Sequence, residues 1–352
     1  MGWTVKLTVL LFLINSSFPV TGTAFGHAPG SPDVSELFAS DSVLELELYM
    51  DIDSLCADIG ENPSYHEALM VYRVPGEQRR VELSVEVRTR GSFRKKPENC
   101  DFPPLKLKFD KTSRRGSIFE DLKDIKVVTH CQSDLDDFEQ YVLQEYLIYK
   151  AYNLFTEFSL RVRLARITYV DLSSGRDSFT RYAFLLEDPE DMAERNKAHL
   201  LELGSIQQEK LDQKHFALMA LFNYMILNTD YSVPIMHNIE LVYTDNFKPP
   251  LPVPYDFDWS GLINIPYDSP YATRNTRYPG RIYKGPCLKR KQLEVVFSKM
   301  YSRHEDLDRL YRNFPYLDED MRNRTLQELD MFYITIGSRK LVRQEFIRNC
   351  VE

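Results

Sequence analysis

Apolar and polar residues alternate with a period of two along the first half of this chain and recur at helical spacing along most of the second. Val43–Met50 (VLELELYM) sets apolar against acidic residues almost one for one, the pattern of a strand with one buried face. Ala68–Val74 and Arg80–Arg90 predict two more strands, joined as a hairpin through Pro75–Gly76–Glu77. Leu105–Phe109 (LKLKF) alternates again, with Leu105, Leu107 and Phe109 on one face and Lys106 and Lys108 on the other. Ile125–Thr129 is another strand-like run. Phe138, Val142, Tyr146 and Tyr149 then recur three and four residues apart, which predicts a long helix over Asp134–Phe155. Arg163–Asp171 and Ser178–Glu187 predict a hairpin around Ser173–Ser174–Gly175. Gln207–Leu227 predicts a strongly apolar helix ending in Asn228–Thr229–Asp230. Two short strands follow, Asn238–Tyr243 and Leu251–Tyr255, and three or four helices run from Leu288 to the end.

Strands first and helices second predict an α+β architecture, or two lobes. The division falls at 43–187 for a strand-rich N-terminal lobe with one long helix, and at 188–352 for a mainly helical C-terminal lobe carrying an acidic site. Residues 25–42, rich in Gly, Pro, Ser and Ala, read as a flexible leader. Residues 1–24 read as a cleaved signal peptide: Lys6, the apolar run Leu7–Ile14 and a small-residue exit at Ala24 are its three parts. That run is too short to span a bilayer, and no later segment is apolar enough, so no transmembrane anchor is expected after cleavage. The chain is therefore expected to be exported, to a periplasm or to the outside of the cell. The formal charge of −8 becomes −9 when Lys6 is lost (−8 − 1), and an acidic surface argues against nucleic acid as a partner. The five cysteines contain no C-x-x-C pair, so an oxidising compartment favours disulfides over a structural zinc site. Cys100 and Cys131, each beside a strand-like run, are the best candidate pair.

Three segments concentrate chemistry. Arg88–Phe109 holds seven basic residues around Gly91 in an otherwise acidic protein. It reads either as a phosphate-binding loop leading into a lysine-bearing strand or as a solvated basic edge that discourages strand aggregation. Asn228–Asn238 (NTDYSVPIMHN) and Tyr255–Gly261 (YDFDWSG) are acidic loops joined through a short strand pair. That connection would bring Asp230, Asn238, Asp256 and Asp258 together. Phosphoryl transfer uses such a set: one carboxylate for the substrate hydroxyl's proton, an amide oxygen and further carboxylates for magnesium. Singly, each of these residues is more often a turn or cap residue. His237 has no partner histidine at metal-ligand spacing and reads as a packing or orienting residue.

The order of these segments resembles the CotH-type kinases, the spore-coat protein H-like family. The residues carrying the resemblance are Arg90, Gly91, Ser92, Lys95, Lys96, Lys106 and Lys108, then Asp230 and Asn238, then Tyr255–Asp258. It implies a two-lobed, protein-kinase-like fold and ATP-dependent phosphorylation of a protein or other hydroxyl acceptor, with Mg2+. By that resemblance Asp230 is the catalytic base. Asn238 and Asp256 hold magnesium, with Asp258 as a second acidic ligand or orienter. Lys106 neutralises phosphate, with Lys108 as the other candidate, and Arg90 also faces phosphate. Glu145 on the long helix orients the lysine through an ion pair. Two departures stand beside it. Asp230 and Asn238 are eight residues apart, against five in the protein-kinase loop, and a Gly-x-Gly-x-x-Gly lid is missing. They keep open a catalytically inactive exported binding or scaffold protein of the same fold, and a metal-dependent hydrolase using the same carboxylates without a nucleotide.

Overall fold

The computed structural model describes residues 35–73, 79–133, 137–173, 175, 177–245, 248–265 and 280–351. The signal peptide, most of the leader, the Pro75–Gly76–Glu77 turn and Ser174 lie outside the described residues.

The strands are β1 (Leu44–Met50), β2 (His66–Arg73), β3 (Arg80–Thr89), β4 (Leu105–Phe109), β5 (Asp124–Val128), β6 (Val162–Asp171), β7 (Phe179–Leu186), β8 (His199–Leu200), β9 (Ile239–Tyr243) and β10 (Leu251–Pro254). The helices are α1 (Ile52–Ala57), α2 (Asp137–Asn153), α3 (Pro189–Arg195), α4 (Gln213–Met225), α5 (Arg290–Tyr301), α6 (His304–Arg312), α7 (Glu319–Gly337) and α8 (Arg339–Val342).

Seven strands close into a mixed barrel in the order β1-β2-β3-β4-β5-β7-β6. The closing contact is parallel, with Leu44 opposite Ala165 and Met50 opposite Asp171, and the other pairs are antiparallel. The period-two pattern explains the filling. Leu44, Leu46, Leu48 and Met50 alternate inward, as do Leu105, Leu107 and Phe109, and they meet Ile167, Ala183 and Leu185 in the barrel core. The opposite face of the same strands is also apolar: Val162, Leu164, Phe184 and Leu186 pack under α2. A strand buried on both faces cannot keep a simple in-out alternation, and α2 is accordingly buried for most of its length.

This corrects the two-lobed, protein-kinase-like expectation. The strand-rich half is a closed barrel, and the second half carries its own three-stranded sheet, β10-β9-β8, among the helices. The larger core runs from Val128 to Phe346 and includes α2, α4 and the outer face of β6 and β7. The leader is also shorter than read: Glu36–Ala39 is a 3-10 turn with Leu37 and Phe38 buried. Arg163 donates to the carbonyls of Leu37 and Ser40 and to Ser42 Oγ, which fastens this turn to β6.

Cys100 and Cys131 form a disulfide with Cα atoms 4.6 Å apart, and Cys287 and Cys350 form a second, unforeseen one. Cys56 is in neither bridge. Both bridges fit an oxidising compartment. Among the described residues no helix is long and apolar enough to cross a membrane.

Candidate functional site

Three segments and one helix face meet beside the barrel. Helix α4 is apolar on every side and is held in the core, so its C-terminal end is a rigid platform. The chain leaves it through Leu227 (φ +56°) and Asn228, whose amide donates to Asn223 Oδ1. The Asn228 side-chain oxygen accepts the N–H of Asp230 at 2.9 Å, an Asx turn that starts the loop. Ser232 and His237 then exchange both backbone hydrogen bonds and fold the loop back on itself. That return brings Asn238 to Asp230. Its Nδ2 donates to the Asp230 carbonyl at 2.8 Å and to Oδ2 at 3.1 Å, while His237 Nε2 lies 3.0 Å from Oδ1. The eight-residue spacing is thus closed by a local bridge.

Strands β9 and β10 pair antiparallel and return the chain to the same place, where the N–H of Tyr255 bonds the Asn238 carbonyl at 3.1 Å. Pro252 and Pro254 are tolerated because β10 is an edge strand. Asn238 (φ +55°) and Asp256 (φ +59°) both sit in the left-handed region, where a non-glycine residue costs on the order of 1 kcal/mol. Gly261 presses the acidic segment onto the loop before Asp230: its N–H bonds the Leu227 carbonyl, and a Cβ there would meet Leu227 Cβ at 2.7 Å.

The basic segment covers this centre from the barrel side. Gly91 (φ +83°) turns the chain out of β3, Phe93 packs edge-on to Trp259, and Arg94 donates to the Thr129 carbonyl. The Cys100–Cys131 bridge anchors the far end of the segment beside that carbonyl. From below, α2 presents Glu145 and Tyr149, and the Tyr149 hydroxyl accepts the N–H of Asp256 at 2.9 Å.

The electrostatics are those of crowded carboxylates in a partly desolvated place. Burial, reinforced by Asp256, raises Glu145 to about 7 against the pull of Arg94 and Arg90. Burial also pushes Asp258 well above the usual carboxylate range, with Asp256 and Glu145 adding to it. Arg90 is lowered by burial while Asp256 holds its proton on. Strong perturbation by burial plus named charges marks a functional-site candidate.

The structure brings Asp230, Asn238, Asp256, Asp258, Glu145 and Arg90 into one neighbourhood, and it gives Lys106 and Lys108 partners other than Glu145. The cations acting on Glu145 are Arg94 and Arg90, not Lys106. Lys106 pairs with Asp124 at 2.9 Å on the barrel wall, where its neighbour Lys126 is lowered by burial and further by Arg90 and Lys106. Lys108 points elsewhere, 2.5 Å from Glu86 and over the Tyr65 ring. The two lysines share a face, but the wall curves and their partners differ. Arg94, Tyr149 and Lys126 went unnoticed. Arg94 lay within the basic run and could have been singled out, whereas Tyr149 carried only a helix-packing signal.

A hard cation suits a donor set of carboxylate and amide oxygens such as Asn238, Asp256 and Asp258. Among the described residues no three His, Cys, Asp or Glu side chains already converge as a metal cage. Comparison with protein-family models and with curated proteins finds no match for this chain.

Proposed function

We propose that this chain is an exported phosphotransferase that moves the terminal phosphoryl group of ATP to a hydroxyl on a protein or other acceptor. The observation that carries the reading is the Asp230–Asn238 pair, held side chain to side chain with the Asp256–Asp258 carboxylates beside it. Fold alone does not assign a function, so the reading rests on the site. The resemblance of its segments to the CotH-type kinases points the same way.

In this reading the acceptor oxygen attacks the γ-phosphorus as the bond to the departing ADP oxygen breaks, and the acceptor proton passes to an Asp230 oxygen. His237 and the Asn238 amide fix the direction of that carboxylate. Arg90, with Lys106 and Lys126 further along the wall, supplies positive charge toward phosphate. Asn238, Asp256 and Asp258 would hold Mg2+, which when bound supplies charge neutralisation at the phosphate oxygens. Glu145 and Arg94 support that acidic pair from behind.

The test is ATP turnover with magnesium, read beside nucleotide-dependent thermal stabilisation. Ligand at a hundred times its dissociation constant stabilises by about 2.7 kcal/mol. Asp256→Ala should abolish metal-dependent turnover and leave folding nearly intact, since it relieves repulsion. Asp230→Asn should slow transfer and spare binding. Stabilisation by ATP without turnover would favour the binding or scaffold protein, and no response to any nucleotide would remove the reading.

A further inference from the structure

The loop bearing Asp230 is gripped from outside by a segment distant in sequence. Residues 281–287 lie against the C-terminal end of α4. Arg281 donates from one guanidinium nitrogen to the carbonyls of Tyr224 and Met225, at 3.0 and 2.8 Å. Lys284 Nζ donates to the carbonyl of Thr229 at 2.6 Å and to that of Tyr231 at 3.3 Å, the residues on either side of Asp230. Its ammonium also stands 5.2 Å over the Tyr231 ring, which is buried. The segment carrying Lys284 is itself tethered. Cys287 is bonded to Cys350, Val351 donates to the Gly285 carbonyl, and the buried Tyr283 ring packs edge-on to Phe346. A cation at a helix C-terminus satisfies carbonyls left without intrahelical partners, and that accounts for Arg281. It does not account for Lys284, whose carbonyls lie beyond the helix, around the residue proposed to take the acceptor's proton.

We propose that Lys284 is a positioning residue for Asp230: by tying the peptide that enters Asp230 and the one that leaves Tyr231, it fixes the loop backbone from which the Asp230 carboxylate is aimed. The arrangement constrains Asp230 at both its carboxylate and its backbone. His237 and Asn238 hold the carboxylate, and Lys284 holds the backbone beneath it. In this role Lys284 acts through the loop backbone, so its loss should change the reacting geometry and spare nucleotide affinity.

This inference rests on the phosphotransfer reading, and the experiment separates the two. Lys284→Met and Lys284→Arg are compared with the wild type and with Asp230→Asn, by steady-state ATP turnover and by hydrogen exchange at the amides of Asp230 and Ser232. Lys284→Met should lower kcat by about a hundredfold, the cost of a small misplacement of a reacting group, with KM for ATP little changed. Lys284→Arg, which keeps donors for both carbonyls, should recover most of that loss, and the two amides should exchange faster in Lys284→Met than in Lys284→Arg. A rise in KM at unchanged kcat, or no kinetic change, would overturn the positioning role. If wild type and Asp230→Asn are equally inactive, the phosphotransfer reading falls. The exchange data then decide the clamp alone: faster exchange in Lys284→Met keeps it, and unchanged exchange removes it.

Discussion

The Asn238 amide donates twice to Asp230, once to its carbonyl at 2.8 Å and once to its carboxylate at 3.1 Å. One side chain therefore fixes both the backbone and the charged end of the candidate base. It does so from a left-handed backbone conformation, at φ +55°, that asparagine adopts more readily than most residues.

Replacing Asn238 with Ala should thus cost more than an average surface substitution. Two hydrogen bonds are lost at about 1 kcal/mol each, and alanine's poorer tolerance of the left-handed backbone adds on the order of 1 kcal/mol. Urea unfolding should show a lowered midpoint that corresponds, through the m-value, to that loss of stability, with turnover lost as well. A midpoint equal to wild type would mean that the pair contributes nothing to the fold.

Cutting the Cys100–Cys131 bridge should loosen the basic segment over the site. The bond closes a span of 31 residues. Loop-closure entropy puts the cost of opening it at about 3 to 4 kcal/mol. Cys100→Ser should lower the melting temperature, and added reductant should lower it little further than the loss of the Cys287–Cys350 bridge accounts for. An unchanged melting temperature would show that the loop is held by its hydrogen bonds alone.

His130 is one buried group through which acid should weaken the fold. It is 1% exposed, stacks on Phe102, and lies near Arg181 and Arg94; burial first, then those charges, lowers it from 6.5 to about 3. Between those values the unfolded chain binds a proton that the folded chain does not. Its contribution is therefore full above pH 6.5 and is lost as pH falls toward 3. His130→Gln should flatten the stability profile between pH 7 and pH 4, measured by urea midpoints. Parallel profiles for the two proteins would clear His130 of the effect.

The turn Glu36–Ala39 should behave as part of the fold. A chain beginning at Val43 would lose Leu37 and Phe38, which are buried in the barrel core, at about 1.5 to 3 kcal/mol for each side chain. It should melt well below a chain beginning at Ser35. Equal melting temperatures would show that the turn rests on the barrel without supporting it.

What was legible in the sequence is local. The LKLKF alternation predicted β4 residue for residue, because period two records which side of a strand is buried. The helix over Asp134–Phe155 came through as α2, with residues 134–136 outside the described residues, and the apolar helix before Asn228 as α4, shorter at both ends than read. The Cys100–Cys131 pair came from two strands expected to be neighbours, and the nearness of Asp230, Asn238 and Asp256 from loops joined by a short hairpin.

The tertiary structure decided everything that joins distant segments. Alternation says that a face is buried but not what covers it, so nothing in VLELELYM announces that β1 closes a barrel through a parallel contact with β6. The same limit hid the second disulfide, whose cysteines differ in no local feature from Cys56. It also hid the partners of Glu145: a carboxylate on a long helix can face any cation the fold delivers, and here those are Arg90 and Arg94. Lys284 shows the point most plainly. Its own neighbours in sequence mark nothing, and its meaning lies in two carbonyls of a loop more than fifty residues away, brought to it by packing and by a bridge to the end of the chain. Short-range order follows from side-chain chemistry read along the chain. Long-range pairing follows from which buried faces fit one another, and that is a property of the whole fold.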